Sequence, residues 1–515
     1  MKFKIVLTIA GLVLLCAKDL IAQVPSYASE ALYLSRIQPG GTARIMGMGG
    51  VQNSLGGDIS AASYNPAGLG MYNRSELAFT PGYTMTSTAA TYLGNTENQN
   101  KNTLIIPNFG VAIHKAKDGT TGFLGGTFGI SYNRTNSFNN TYSYHGTNND
   151  NSIIDYFIND ANGDTEAQFH SVTGYNFNTP TGLAYNNFLI GPETVIDPAG
   201  DPRSYFTDVY PYLPTQSEVV KTTGSQGQWN FSYGANFSDK IFVGLGIGFA
   251  NFEYKTEAIY TETFLDAYPG ATPLVSPMSK MVLNESFNMT GTGINATLGA
   301  IYRPVDVFQL GVSIATPTSY QINSEYIGYM NTAWNNFEYE PGLILGNEDF
   351  ETDLVTFQHT LATPWRFSGG GTFFIKKSGL ISVDVEYVSY GSSSYSGYSD
   401  GSSADFDNQD IKSLYKSVLN LRIGGEYRLK NFRFRSGFGL MPDPYKTAQN
   451  NVDNTFKTYS FGFGYRVPKF YVDIATILNE TERSYRPYTV PSDASPLVTM
   501  KNQSTTIALT LGFPF

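Results

Sequence analysis

The chain has 515 residues, of which only 15% are charged and 14% are aromatic, and its formal net charge is −10. The negative charge argues against a nucleic-acid partner. Few charges with many aromatic residues are typical of a membrane β-barrel, which has an apolar outside, a polar inside and aromatic girdles.

The N-terminus has the pattern of a secretory signal peptide. Lys2 and Lys4 precede an apolar run over residues 5–17, which is too short to span a bilayer as a helix. We predict a signal peptide over residues 1–22 with cleavage after Ala22. The only cysteine, Cys16, is expected to leave with it. A lipoprotein cysteine is the alternative, although Leu15 is not the small residue that lipoprotein processing prefers.

A glycine-rich stretch over residues 39–70 follows, and it shows neither a long strand nor a strongly amphipathic helix. We predict that residues 23–75 form a hatch inside a barrel made by residues 76–515. A phosphate-binding loop is disfavoured for this stretch, because no strand precedes its glycines and no lysine follows them.

After the hatch, apolar and polar residues alternate with period two, which predicts strands. No later run of eighteen apolar residues occurs, so a membrane crossing would be made by strands. The predicted fold class is all-β, a 14-stranded antiparallel transmembrane β-barrel plugged by an N-terminal hatch. The fourteen candidates cover residues 76–88, 103–114, 122–134, 227–238, 240–258, 282–303, 306–322, 354–376, 379–391, 415–429, 431–441, 455–467, 469–479 and 501–515.

The predicted connections after even-numbered strands are short, and those after odd-numbered strands are long and polar. This asymmetry is typical of outer-membrane barrels, whose short turns are periplasmic, and an even strand count then places both termini in the periplasm. Two long extracellular loops are predicted at about 135–225, with a short amphipathic helix in NSIIDYFIND, and at 324–353. The terminal Phe515 is interpreted as the signal read by the outer-membrane assembly machinery.

At this point the mature chain resembles the FadL/TodX outer-membrane transport proteins, in the branch typical of Bacteroidetes. The resemblance depends on the terminal Phe515 and on five motifs: GGDISAASYNPAGLG (56–70), ATPTSY (315–320), TPWRFSGGGTFF (363–374), SVDVEYVSY (382–390) and LRIGGEYRL (421–429).

The resemblance implies passive uptake of hydrophobic molecules, such as long-chain fatty acids, by loop capture, lumenal binding and lateral release into the outer membrane. It implies a hatch that acts as a gate, although a static plug is the alternative. The predicted gate residues are Asp58, Asn65, Pro66, Ala67 and Gly68, and the predicted capture residues are Ile154, Phe157, Phe188, Trp334 and Phe337. Glycines inside a strand mark bends, so a kink with a lateral opening is predicted at Gly125, Gly126 and Gly129; a well-packed strand is the alternative.

Placing the apolar set of each strand outward leaves charges of both signs in the lumen. Arg366 and Arg422 lie furthest from the short turns, and we predict that one of them receives a carboxylate headgroup. The predicted ion-pair network consists of Asp384, Glu386, Glu426, Arg428, Arg433 and Arg435, with Arg466 and Asp473 also inside. The alternative is that all these charges pin the hatch to the wall.

Catalysis finds no support, because the four histidines show neither HExxH nor a nucleophile pair, and the protein is predicted not to be an enzyme. No cofactor or metal is predicted; acidic runs at 347–353 and 405–410 are interpreted as solvated loops, with calcium as the alternative. The expected partners are a fatty acid-like molecule and outer-membrane lipid, and a monomer is expected. A scaffold or accessory subunit of an outer-membrane secretion complex is the competing function.

Overall fold

A computed structural model describes residues 26–170, 177–193, 204–209, 214–264, 276–398, 401–491 and 495–515. The predicted signal peptide and Cys16 lie outside the described residues.

Fourteen antiparallel strands, counted over the described ranges, form one closed wall, as predicted. Each strand pairs with the next along the chain, and the first pairs with the last, Glu76 opposite Pro514. The strands are β1 Glu76–Tyr92, β2 Asn95–Ala116, β3 Phe123–Ser137 with Asn140–Thr147, β4 Pro214–Phe237, β5 Ile241–Phe264, β6 Met278–Val305, β7 Phe308–Ala315 with Ser319–Glu340, β8 Val355–Ala362 with Arg366–Ile375, β9 Gly379–Ser389 with Ser394–Tyr398, β10 Ser417–Leu429, β11 Phe432–Met441, β12 Phe456–Val467, β13 Phe470–Tyr485 and β14 Val498–Pro514.

The outside of the wall is apolar and the inside is polar or small. On β12, Tyr459 and Phe461 are exposed, whereas Ser460 between them is buried. On β14, Leu509 is exposed and Thr510 is fully buried. An exposed apolar band around a closed wall is the surface that a transmembrane barrel presents to lipid.

Several strands extend further at the long-loop end than alternation predicted. The first connection was expected to be long, but β1 and β2 meet at a two-residue turn in which Leu93 and Gly94 have φ values of 46° and 84°. Parts of the expected loop 135–225 belong to β3 and β4, and the expected loop 324–353 is mostly β7 and a hairpin strand, Leu343–Glu351, that pairs with it. Above the apolar band the outward positions become polar, such as Glu253 on β5, while inward positions such as Phe252 and Tyr254 are apolar, so the apolar side of the alternation changes faces there.

The N-terminal segment and the remaining connections contain short helices. In the chain order of the whole molecule they are α1 Tyr27–Ser35, α2 Ala43–Met46, α3 Ala61–Tyr64, α4 Ile153–Ala161, α5 Ala167–His170, α6 Pro180–Asn186 and α7 Asp405–Leu414. The amphipathic helix predicted in NSIIDYFIND is α4, which Ser152 caps by accepting a hydrogen bond from the Ile154 amide. Across the parts of the chain with described coordinates, no helix is both long and apolar enough to cross a membrane.

The N-terminal segment fills the lumen. At the short-turn end, Ser75 accepts a hydrogen bond from the Phe515 amide at 2.9 Å, so the hatch joins β1 beside the C-terminus. The other end of the segment lies among the long connections, where Tyr415 donates to the carbonyl of Ala28 in α1 at 3.0 Å. The described chain thus runs through the lumen from the long-loop end to the short-turn end.

Candidate functional site

Asp58 organises the interior of the hatch. Its buried carboxylate accepts hydrogen bonds from Thr42 at 2.8 Å and from the Ser60 hydroxyl at 2.6 Å. Arg44 lies 3.9 Å from the same carboxylate and donates to the Gly57 carbonyl at 3.1 Å. Sequence reasoning missed Arg44, although it is the only charged residue between Pro39 and Gly57.

Asn65 joins the hatch to the wall. Its side-chain amide donates to the Asn53 carbonyl at 2.6 Å and to the Val312 carbonyl on β7 at 3.3 Å, and its oxygen accepts from the Ala67 amide at 3.2 Å. Pro66 follows at the first position of a 3-10 helix, Pro66–Met71, where its missing N–H needs no partner. A Cβ at Gly68 would lie 2.9 Å from Ala61 Cβ, so this part of the hatch is closely packed.

We expect Asn65→Ala to slow uptake while the barrel still assembles. The change leaves the buried carbonyls of Asn53 and Val312 without this donor, at about 1–3 kcal/mol, but it breaks no strand pairing. Uptake of a labelled apolar substrate and heat-dependent gel mobility of the folded barrel measure the two effects. Asn431→Ala, in an exposed turn, is the matched control. Normal assembly with normal uptake would reduce Asn65 to packing.

A second set of hatch contacts involves Asp384 on β9. Its carboxylate accepts hydrogen bonds from the backbone amides of Gln52 and Asn53, at 2.7 and 2.9 Å. Next to it, the hydroxyls of Ser54 and Thr372 lie 2.8 Å apart. The turn of the hatch at residues 52–54 is therefore held by side chains of the wall.

The two arginines predicted to receive a headgroup face the same carboxylate. Glu386 lies 3.1 Å from Arg422 and 3.4 Å from Arg366, and it accepts a further bond from Asn420 at 2.8 Å. Arg366 also donates to the carbonyl of Ser35 in α1. Both guanidiniums are thus paired with Glu386 next to the hatch, with Arg422 buried and Arg366 partly buried.

A second charge network lies nearer the short turns. Glu426 pairs with Arg435 at 2.8 Å and with Arg428 at 2.7 Å, and it lies 3.7 Å from Arg44 of the hatch. The network continues from Arg435 to Asp473 at 2.6 Å, and from Asp473 to Arg466 at 2.9 Å. Arg433, by contrast, donates to the backbone carbonyls of Lys430 and Phe432 at the β10–β11 turn.

The upper lumen is apolar and is occupied by α1. Leu32 and Leu34 of α1 pack with a group of inward aromatic and aliphatic side chains, which includes Phe252, Phe287, Tyr320, Ile322 and Leu361. Within this cluster His359 Nε2 lies 2.7 Å from Glu30 Oε1, a pair that sequence reasoning did not identify.

The predicted capture residues pack together. Ile154, Phe157 and Trp334 are buried in a single apolar cluster formed by the long connections and the adjoining ends of β5, β6 and β7, and Phe188 and Phe337 pack against it while partly buried. Within this cluster, the Tyr488 hydroxyl accepts a hydrogen bond from Gln216 at 2.6 Å and donates to Asn151 at 2.7 Å. Burial, with the nearby Glu262 charge as the second cause, raises the pKa of the Tyr488 phenol, which therefore stays neutral.

Strand β3 is irregular. A register shift occurs between Phe123 and Gly125, where Gly125 has φ of +155°, and a second occurs between Arg134 and Asn136. A Cβ at Gly126 would meet the Tyr233 hydroxyl, and one at Gly129 would lie 3.0 Å from Leu69 of the hatch. The predicted kink region thus contains a bulge, while the interruption of the strand lies further on, at residues 138–139.

The pairing between β2 and β3 changes beside this interruption. The backbone ladder between β2 and β3 extends from the Ala116–Gly125 pair to the Asn108–Asn133 pair. Further up, described contacts between the two strands are made by side chains, such as Gln99 to Ser143 at 2.9 Å.

The hatch bonds to β3 where this ladder ends. The Gln38 amide donates to the Thr135 carbonyl at 2.8 Å. Asn136 donates to the Tyr33 carbonyl at 3.0 Å, and Asn133 donates to the Ser63 hydroxyl at 2.9 Å. These three bonds place the hatch directly behind the part of the wall that lacks a backbone ladder.

Comparison with known proteins gives structural neighbours only. No protein-family model matches the sequence, and no curated protein matches it. A Pseudomonas aeruginosa FadL homologue is similar in structure, with a TM-score of 0.55 and 15% identity over 93% of this chain and 100% of that one. The P. putida toluene transporter TodX has a TM-score of 0.51 and 10% identity over 93% and 99% of the two chains. This chain therefore has the fold of the FadL and TodX barrels, a fourteen-stranded wall closed around an N-terminal hatch.

Proposed function

We propose that the protein is an outer-membrane channel for passive uptake of hydrophobic molecules, such as fatty acids or aromatic hydrocarbons. The observation that carries this proposal is the set of hydrogen bonds between the hatch and β3, because it couples the plug to the part of the wall without a backbone ladder. The neighbouring TodX structure is that of a toluene transporter, which favours an apolar substrate.

The path starts at the apolar cluster of the long connections, continues into the upper lumen around α1, and ends at the side of the barrel between β2 and β3. Along this path the substrate passes from one apolar environment to another. Capture from water supplies the driving force, because burial of each CH₂ group lowers the free energy by about 0.8 kcal/mol. No energy source is needed beyond consumption of the substrate downstream.

The hatch must release β3 for lateral exit. Each hydrogen bond contributes only about 0.5–1.5 kcal/mol net, so breaking the contacts of Gln38, Asn136 and Asn133 is compatible with a thermally driven movement. The hatch then acts as a gate, and the hydrogen bonds made by Asp384 and Asn65 hold its remaining part in place.

A cross-link tests the gate. The double variant Gln38→Cys/Thr135→Cys places two thiols at the hydrogen-bonded positions, in a chain whose one native cysteine, Cys16, lies in the predicted signal peptide. We expect uptake to stop when the pair is joined by a disulfide or a short thiol cross-linker, and to return when a disulfide is reduced. Each single-cysteine variant is the control. Equal uptake before and after cross-linking would contradict a moving hatch at this position.

The arginine pair provides a test of substrate charge. If Arg366 or Arg422 receives a carboxylate, then Arg422→Gln should lower uptake of a labelled fatty acid by about tenfold, the factor that corresponds to one charge-assisted hydrogen bond. Uptake of a neutral hydrocarbon should change little. A loss of both activities would show that the arginine only supports the hatch.

The scaffold function is favoured by one observation, the burial of the loop aromatics in a closed cluster rather than in an open groove. It predicts normal uptake of apolar substrates in a deletion strain, together with a membrane partner that co-purifies in defined stoichiometry. The channel function predicts the opposite result for uptake.

A further inference from the structure

Two cavities lie on the outer face of the barrel, over strands β5 to β9: Thr360 and Gly397 line one, and Trp365 and Ser392, each five residues away along the chain, line the other. The larger has a volume of about 610 Å³ and extends across five neighbouring strands from Asn251 on β5 to Gly397 on β9. The smaller cavity, of about 340 Å³, lies between β8 and β9 and is nearer to the short turns than the larger one. Neither belongs to the lumenal path described above.

The larger cavity has a neutral, hydrogen-bonding lining. Strand register aligns its outward side chains in two rows: Asn251, Thr292, Gln321 and Thr360, and, one rung further up, Thr290, Asn323 and Gln358. Five of them are exposed and two are half-buried. The residues that line this cavity include no Lys, Arg, Asp or Glu, so it offers many amide and hydroxyl groups and no charge for a phosphate.

The smaller cavity is aromatic. It is lined by Trp365, Phe367, Tyr387, Ser389 and Ser392. It forms because β8 is interrupted between Ala362 and Arg366, and β9 between Ser389 and Ser394, so the two strands separate at the same height.

The polar rows of the larger cavity begin at the edge of the apolar band. Phe249 and Ile294 pair across β5 and β6, and both are about half exposed, at 48% and 51%. The next rung away from the short turns is Asn251 with Thr292, where the polar rows begin. Aromatic residues such as Trp365 are typical of this interfacial level.

We propose that the two cavities together form a site for one glycolipid of the outer leaflet, with a neutral sugar headgroup in the polar cavity and an acyl chain in the aromatic cavity. Sugar hydroxyls both donate and accept, as do the amides and hydroxyls of the two rows. The apolar chain is placed below the headgroup, at the depth of the lipid. This inference needs the barrel to span the membrane with its long connections outside, and it is independent of whether the lumen transports anything.

The test is lipid retention measured by native mass spectrometry on the full barrel in nanodiscs. The probes are diglucosyl diacylglycerol and phosphatidylglycerol with the same acyl chains. We expect the protein to retain the sugar lipid selectively, and Gln321→Ala/Gln358→Ala to lower that retention by about tenfold, as expected for the loss of two hydrogen bonds. Gln503→Ala, an exposed glutamine on β14, is the control.

Two further variants separate the cavities. Trp365→Ala should weaken retention of the sugar lipid through its chain, whereas Phe461→Ala, an exposed aromatic on β12, should not. Gly397→Leu should block the polar cavity, since the space around a Cβ at Gly397 is open within 4 Å and folding is not expected to suffer. Heat-dependent gel mobility verifies that every variant is folded. Equal retention of the two lipids, a preference for phosphatidylglycerol, or indifference to these variants would overturn the proposal.

Discussion

Gly244→Val is expected to displace the hatch from its seat while the barrel wall remains closed. A Cβ at Gly244 on β5 would lie 2.2 Å from the Pro66 carbonyl carbon and 2.3 Å from the Ala67 nitrogen. Both are backbone atoms, which cannot turn aside as a flexible side chain can. Overpacking of a tight contact typically raises the free energy by about 1–3 kcal/mol, and here the 3-10 helix of the hatch must move to relieve it.

Two measurements report on this variant. Entry of a small hydrophilic solute into proteoliposomes should rise if the plug leaves the lumen, and heat-dependent gel mobility should remain that of a folded barrel. Gly369→Ala is the control, because the nearest atom to a Cβ at this β8 glycine is the Gly311 carbonyl oxygen, at an ordinary contact distance of 4.0 Å. Unchanged solute entry with a folded wall would show that the hatch adapts within the lumen, and would contradict the expected displacement.

The second large effect is expected from Asp384→Ala. Removal of the carboxylate leaves the backbone amides of Gln52 and Asn53 without their buried acceptor, and an unsatisfied buried donor raises the free energy by about 1–3 kcal/mol. The turn at residues 52–54 should therefore loosen, with faster amide exchange in peptides that cover it and higher sensitivity of the hatch to added protease.

Asp384→Asn is the informative companion variant. An asparagine keeps an oxygen that can accept from the same two amides, so exchange near residues 52–54 should remain close to that of the native protein. If the Ala and Asn variants were equally loosened, charge rather than hydrogen bonding would hold the turn. If neither changed exchange, the contact to Asp384 would not anchor the hatch.

The two variants also address the gate. Gly244→Val acts on the part of the hatch next to β5, and Asp384→Ala acts on the turn next to β9. A gate that swings away from β3 moves relative to the part of the hatch that Asp384 and Asn65 hold in place, so Asp384→Ala should slow apolar uptake, as Asn65→Ala does. A static plug would leak hydrophilic solutes in both variants without any loss of apolar uptake.

The strand count and the outward face of each strand were predictable from the sequence. Every second side chain of a membrane-spanning strand must face lipid, as Phe461 and Phe463 or Ile507 and Leu509 do. This requirement imposes an alternation of apolar and polar residues that the local sequence shows directly. Beyond the edge of the apolar band, outward side chains no longer face lipid, and the requirement no longer applies. The two-residue turn at Leu93–Gly94 and the extension of β7 to Glu340 were missed because the outward positions become polar there, while inward residues such as Met330 and Trp334 are apolar.

The residues of the hatch were also recognisable, but their partners were not. Asn65 and Asp58 stand out within a glycine-rich stretch, whereas nothing in the local sequence connects Gln52 with Asp384 or Glu30 with His359. These partners are more than three hundred residues apart, and closure of the wall and the register of each strand decide which inward side chain meets which part of the hatch. The sequence by itself therefore determined a plugged fourteen-stranded barrel. Contact with lipid requires alternate residues to be apolar in each strand separately, so the pattern can be read strand by strand. Only the tertiary structure decided where the plug is anchored, since those contacts exist only after the first strand has paired with the last.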